Sequence, residues 1–155
     1  MEIKWVDTHC HLQLLNKNLD ENHFKNIEFL VIPGVDVESS SKAKEISSSL
    51  EVESYWSAGL HPHDAKLLDT QRHDLEKLFV EADLIGETGL DFYRNLSTKE
   101  EQRENFLFHL EFSKQLNKPI IIHCRDSFQD TYDLLVEFNN PSSVILHSWT
   151  GGRKW

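Results

Sequence analysis

The chain has 155 residues and a formal net charge of −10, with 39% hydrophobic and 27% charged residues. These values predict one soluble globular domain over residues 1–155 with a real hydrophobic core. The acidic balance argues against a protein that coats nucleic acid by bulk electrostatics, and no apolar run approaches the roughly 20 residues of a membrane span. Because the chain shows no export signal and only two cysteines, a cytoplasmic location is expected.

Short apolar segments alternate with helical patterns along the chain. The strand-like segments are IKWVDTH, IEFLVIPGV, VESYWSAGL, ADLIGETGL, KPIIIHCR and SSVILHSW. The clearest helical pattern runs from Ser97 to Asn117, with Ser97 and Glu100 as a predicted capping box. This alternation predicts an α/β fold in which a parallel sheet of six strands is covered by about five helices.

Side chains suited to chemistry collect at the carboxyl ends of the predicted strands. They are Asp7, His9 and His11 at strand one, His61 and His63 after strand three, Glu87 and Asp91 at strand four, His123 and Arg125 at strand five, and His147 at strand six. Parallel α/β folds place their active sites at this edge of the sheet. We therefore expect these side chains to meet in one site.

The His-x-His pair of the first strand is ambiguous by itself. Strand alternation puts Asp7, His9 and His11 on one face, where two imidazoles can chelate a divalent cation. A buried histidine that is hydrogen-bonded to the backbone is the ordinary alternative. Further histidines and Glu87 at neighbouring strand ends favour a metal site, because so many buried polar groups without a cation would be unfavourable.

The ligand types narrow the choice of metal only partly. Imidazole and carboxylate groups suit one or two divalent ions, among which zinc, magnesium, manganese, nickel and iron are not distinguished. Cys10 and Cys124 each sit beside a histidine, and we predict that both are small apolar strand residues facing away from it. The remaining histidines, His23, His73 and His109, are predicted to be structural or solvent-facing.

Five motifs in order, DTHCHL, GLHPHDA, IGETGLDFYR, KPIIIHCRDS and LHSWTGG, resemble the TatD-type metal-dependent deoxyribonucleases. The resemblance runs from Asp7 to Gly152 and implies a parallel (β/α) TIM-barrel fold, truncated here after the sixth strand. It also implies metal-dependent hydrolysis of phosphodiester bonds, with DNA or another phosphodiester as the expected substrate. The implied ligands are His9 and His11 for one ion, Glu87 as a bridge, and His123 and His147 for the second ion.

The resemblance also places His61, His63 and Arg125 near the substrate phosphate. Considered alone, His61 before Pro62 could be a turn residue and His63 could begin a helix. Arg125 could clamp a phosphate with its guanidinium fork or pair with a carboxylate such as Asp126.

Further candidates lie around the expected ligands. Asp91 and Tyr93 are predicted on a loop over the site, where Asp91 could orient a ligand histidine. Asp7 either orients a strand-end histidine or only closes its strand. Trp149 and Trp155 could stack on bases, although packing is the simpler role for Trp149.

Some implied features have no counterpart in these residues. The family pattern includes an aspartate at the end of strand eight, to which nothing here can be matched. Six strands cannot close a barrel, so the exposed edges predict a homo-oligomer or a second chain over the open side. Two other functions stay open: an inactive metal-binding remnant that acts through a protein partner, and hydrolysis of an amide, ester or lactone.

Overall fold

A computed structural model describes residues 3–15, 20–139 and 143–149 of the chain. Its sheet has six strands, which confirms the predicted number and order. They are β1 (Trp5–Asp7), β2 (Ile27–Pro33), β3 (Glu53–Ala58), β4 (Leu84–Asp91), β5 (Ile120–Arg125) and β6 (Val144–His147). Each strand pairs in parallel with the next along the chain, as in the wall of a (β/α) TIM barrel.

Four α-helices connect the later strands. They are α1 (Val37–Ser49), α2 (Leu68–Glu81), α3 (Lys99–Leu116) and α4 (Phe128–Glu137), with short 3-10 helices at Leu12–Leu14, Glu21–Phe24 and Pro62–Leu67. The predicted capping box of α3 is one residue early, because the Thr98 hydroxyl, not that of Ser97, accepts the N–H of Glu101 at 3.2 Å. Ser97 instead donates its hydroxyl to the carbonyl of His63 at 2.9 Å.

The two faces of the sheet pack differently. The larger hydrophobic cluster lies between the sheet and the helices and includes Ile120 and Ile122 of β5. A smaller cluster on the other face joins Val31, Leu84 and Ile121. Since strand side chains alternate, His123 shares the inner face with Ile121, and the buried Cys124 points to the helix side as predicted. The site therefore lies above the inner wall of the curved sheet.

Within the described residues, β1 and β6 are the two edges of the sheet and do not pair with each other. Apolar side chains are exposed on both, including Trp5 and Leu146. A partner subunit over these edges stays a prediction, as does the cytoplasmic location. No helix in the described part of the chain combines the length and apolarity needed to cross a membrane.

Candidate metal centre

The carboxylate of Glu87 lies at the centre of the histidine cluster. Its side chain is only 2% exposed, and nitrogens of five different histidines lie within 3.8 Å of its oxygens. The atoms are Nε2 of His9 at 3.2 Å, Nε2 of His11 at 3.6 Å, Nε2 of His61 at 3.7 Å, Nδ1 of His123 at 3.1 Å and Nε2 of His147 at 3.8 Å. All five predicted metal ligands, together with His61, thus meet at one point.

The first two histidines reach the site by a different local route from the predicted one. β1 ends at Asp7, so His9 and His11 do not lie on a strand and do not share a face through strand alternation. The Asp7 carboxylate accepts the N–H of His9 at 3.0 Å, and the chain turns there. The two Nε2 atoms still lie 3.1 Å apart, with His11 directly before the next 3-10 helix.

Cys10, between these histidines, is also past the strand, which corrects its predicted position. Its N–H and its thiol both contact the carbonyl of Val31, at 3.0 and 3.2 Å. Burial, followed by the charge of Asp7, raises the pKa of the Cys10 thiol to about 12. The thiol therefore stays protonated and bonded to the backbone, which is unsuited to metal binding.

Close backbone packing sets the position of Glu87. Its N–H donates to the carbonyl of Gly34 at 2.8 Å, and the peptide bond that joins it to Gly86 is cis. A Cβ atom at Gly59 would lie 2.3 Å from the carbonyl carbon of Gly86 and 2.6 Å from the nitrogen of Glu87. Only glycine at position 59 allows β3 and β4 to approach this closely at the site.

Hydrogen bonds determine which ring nitrogens carry protons. The Nδ1 of His11 lies 3.1 Å from the carbonyl of Pro33, so this nitrogen donates and the neutral ring presents a lone pair at Nε2. The Nδ1 of His61 accepts the N–H of His63 at 3.2 Å, so its Nε2 carries the proton. His11 is therefore prepared as a ligand, whereas His61 is prepared as a hydrogen-bond donor.

Asp91 connects two further histidines. It is buried at the end of β4, not on a loop as predicted. Its Oδ2 lies 2.9 Å from Nε2 of His63 and 3.0 Å from Nε2 of His123. Because a carboxylate can only accept, both Nε2 atoms donate, and the other ring nitrogen of His123, Nδ1, faces Oε1 of Glu87 at 3.1 Å.

Burial and neighbouring histidines shift the acid–base equilibria of the site. Burial acts to raise the pKa of Glu87, but contacts with His123 and His9 hold it below its usual range. Burial also acts to raise the pKa of Asp91, yet the Arg94 N–H and His63 bring it to about 2. Burial lowers the pKa of His61 to about 3 and that of His147 to about 4. The site thus combines a buried, ionised carboxylate with the imidazoles of His61 and His147, which burial keeps neutral near pH 7.

This arrangement fits a divalent cation. Nε2 of His11 and Nδ1 of His123 lie 3.6 and 3.1 Å from the oxygens of Glu87, and the buried Nδ1 of His9 has no hydrogen-bond partner among the described residues. Imidazole nitrogens gathered this closely around one buried carboxylate are the ligand types that a divalent cation takes. Among the described residues, two groups bring their ligand atoms within 4.8 Å of one another, close enough to hold one ion: His9, Glu87 and His147, and His61, Glu87 and His123.

These groups combine the histidines differently from the division implied by the resemblance. His147 stacks on His9, with ring centroids 3.5 Å apart, so it contributes beside the first pair and not only beside His123. His61 joins the geometric group of His123, although its hydrogen bond from His63 suits it to donation. How the ligands are divided between ions stays a prediction.

The other predicted residues lie outside the cluster of histidines around Glu87. The ring of Tyr93 is exposed, and the guanidinium of Arg125 stacks over it, 4.0 Å from the ring centroid. Trp149 packs against Phe128 with centroids 4.7 Å apart, while Trp155 lies outside the described residues. His23 and His73 are exposed and away from the site.

A row of buried polar side chains on α3, outside the residues predicted for the site, supports the strands and loops that carry it. Gln102 accepts the N–H of Asp91 at 2.8 Å, and Asn105 donates to the carbonyl of Leu60 at 2.7 Å. His109 accepts the N–H of Leu60 at 3.0 Å and is fully buried. The signal was present in the sequence, since three polar residues spaced by three and four positions interrupt the apolar face of α3.

Comparison with known proteins identifies the family of this chain. The model of the TatD related DNase family matches residues 6–155. A relative described as an uncharacterized metal-dependent hydrolase from Buchnera aphidicola (subsp. Baizongia pistaciae) is 33% identical over 94% of this chain and 59% of its own length. The 3'-5' ssDNA/RNA exonuclease TatD of Escherichia coli K12 is 35% identical over 81% of this chain and 49% of its own.

Solved structures share the fold. A TatD homolog from Escherichia coli K12 superimposes with a TM-score of 0.86 at 21% identity, over 98% of this chain and 62% of that one. A TatD family hydrolase from Entamoeba histolytica gives a TM-score of 0.82 at 20% identity, over 99% and 61%. The chain spans about half to three fifths of the length of these relatives and structures.

Proposed function

This chain belongs to the family of TatD-related DNases, and from that premise we propose that it is a metal-dependent hydrolase that cleaves phosphodiester bonds in DNA. The observation that carries the proposal is the buried Glu87 carboxylate with five imidazoles around it, at the carboxyl edge of a parallel sheet. Such a nitrogen and oxygen ligand set is typical of hydrolytic metal centres.

The proposed ligands are His9, His11, Glu87, His123 and His147, holding one or two divalent ions. A bound divalent ion supplies Lewis acidity towards the phosphate and lowers the pKa of water to near neutrality. Glu87 stays ionised because its pKa lies below the usual range, so it contributes negative charge to cation binding across the neutral pH range.

Asp91 is proposed as a positioning residue. By accepting from Nε2 of His123 it keeps the Nδ1 lone pair of that ring directed at the metal site. The same carboxylate holds the ring of His63 at 2.9 Å. A substitution at Asp91 therefore removes a hydrogen-bond acceptor from both imidazoles at once.

His61, His63 and Arg125 are proposed to act on the substrate. The Nε2 proton of His61 can donate to a non-bridging phosphate oxygen, because its Nδ1 already accepts from the backbone. His63 lies beside it, with ring centroids 4.3 Å apart. Arg125, at the end of β5, offers a permanent positive charge to the phosphate chain.

The test is Glu87→Gln, with the exposed Glu104→Gln as matched control. We expect Glu87→Gln to lower metal affinity by at least roughly tenfold to hundredfold, because that loss is typical even of residues that only hydrogen-bond to a metal ligand. It should also abolish magnesium- or manganese-dependent cleavage of a labelled single-stranded oligonucleotide. Calorimetric metal titration and gel electrophoresis measure the two effects. Equal cleavage by both variants would contradict the assignment, and metal binding without any cleavage by the wild type would favour a non-catalytic metal-binding protein.

A further inference from the structure

One exposed aromatic ring is anchored directly to the candidate metal centre. Tyr93 is 59% exposed and follows β4 by two residues. Oδ1 of Asp91 accepts the N–H groups of Tyr93 and Arg94, at 3.0 and 2.8 Å, while Oδ2 contacts His63 and His123. One carboxylate therefore fixes both the imidazoles of the site and the backbone that carries the Tyr93 ring.

The ring of Tyr93 is also held from one side. The guanidinium of Arg125 lies 4.0 Å from its centroid, and Arg125 follows His123 by two residues on β5. A planar guanidinium stacked on tyrosine restricts the ring. With its backbone and one side held, Tyr93 loses little conformational freedom on binding a ligand.

Four cationic residues lie in or next to the elements that carry Tyr93. Lys66 donates to the carbonyl of Leu96 at 3.3 Å, and the ammonium of Lys99 lies 4.0 Å from the centroid of Phe92. Arg94 and Arg125 are the other cations bordering this segment.

We propose that Tyr93, backed by Arg125, is a stacking platform for one nucleobase of single-stranded nucleic acid, next to the phosphate that enters the metal centre. Every base has a π-face, so such a platform binds without sequence preference, and the neighbouring cations track the backbone. In a duplex the base faces are covered by neighbouring pairs, which makes an unpaired strand the suitable ligand. The proposal deepens the proposed function but is tested by binding alone.

The experiment is fluorescence anisotropy with a fluorescein-labelled octathymidylate, in EDTA to prevent metal-dependent cleavage. Tyr93→Ala should weaken binding by roughly five- to a hundredfold, the range for loss of one base stack. Tyr93→Phe keeps the ring and should bind within about twofold of wild type. Tyr132 is 58% exposed on α4, away from the site, so Tyr132→Ala is the matched control and should bind like wild type.

A second ligand separates stacking from charge. An abasic octamer, with the same sugar–phosphate backbone but no bases, should bind wild type and Tyr93→Ala equally, because Tyr93 has no base to stack on in that ligand. An equal loss on both ligands would overturn the proposal, as would wild-type affinity of Tyr93→Ala for octathymidylate or no binding by the wild type. Failure of the proposed function is a different result, namely absence of cleavage in magnesium or manganese, and it leaves the binding comparison intact.

Discussion

Replacing the buried His109 by phenylalanine tests how α3 supports the site. The imidazole donates from Nδ1 to the carbonyl of Asn105 at 2.7 Å and accepts the N–H of Leu60 at Nε2, directly before His61. Phenylalanine keeps an aromatic ring beside Phe79, 5.0 Å away, but leaves the buried Leu60 N–H without its acceptor. At pH 7 we expect the free energy of unfolding to fall by about 1–3 kcal/mol, the usual penalty for an unpaired buried donor.

The same substitution, although destabilising at pH 7, should make the chain less sensitive to acid. Burial lowers the pKa of His109 from 6.5 to about 4 in the folded chain. The unfolded chain therefore binds a proton here more readily, so stability falls as the pH drops below about 6.5. Between pH 7 and pH 5 this one residue removes about 2 kcal/mol of stability from the wild type. His109→Phe lacks that contribution and should approach wild-type stability at pH 5.

Urea unfolding followed by tryptophan fluorescence at the two pH values, in EDTA, measures the effect. The matched control is His73→Phe, which replaces an exposed histidine on α2 and should keep the wild-type difference between pH 7 and pH 5. If His109→Phe lost as much stability on acidification as the wild type does, the buried neutral imidazole would not be the cause.

Two further predictions concern local packing. Gly59→Ala places a methyl group 2.3 Å from the Gly86 carbonyl carbon, so we expect a loss of about 1–3 kcal/mol in unfolding free energy and weaker metal binding, measured by urea unfolding and calorimetry. Wild-type unfolding free energy and wild-type metal affinity in Gly59→Ala would refute the close approach of Gly59 to Gly86. Thr98→Ala removes the N-cap of α3, so we expect the free energy of unfolding in urea to fall by about 1 kcal/mol. Thr98→Ser keeps a hydroxyl and should keep most of the stability that the cap contributes. An equal loss of stability in both variants would contradict the cap.

Much of the architecture followed from patterns that are local in the sequence. The apolar run of β5 with His123 near its end, and the helical period of α3, were each recognisable within some 20 residues. Boundaries were less certain, because Ser97 and Thr98 are both good N-cap residues and only the path of the chain into α3 decides between them. Likewise, β1 ends at Asp7 because the Asp7 carboxylate accepts the N–H of His9 and starts a turn. This side-chain hydrogen bond competes with strand pairing, and the alternation pattern of a strand gives no sign of it.

The sequence by itself determined the family, the parallel strand–helix order and the residues that could bind a metal, because those depend on residue type and spacing. Only the tertiary structure decided that Glu87 lies among five imidazoles, that Asp91 contacts both His63 and His123, and that Arg125 lies against the ring of Tyr93. The same holds for the contacts from Asn105 and His109 of α3 to Leu60. Those facts depend on distances between strands and helices far apart in the chain, which are set when the sheet curves and its helices pack.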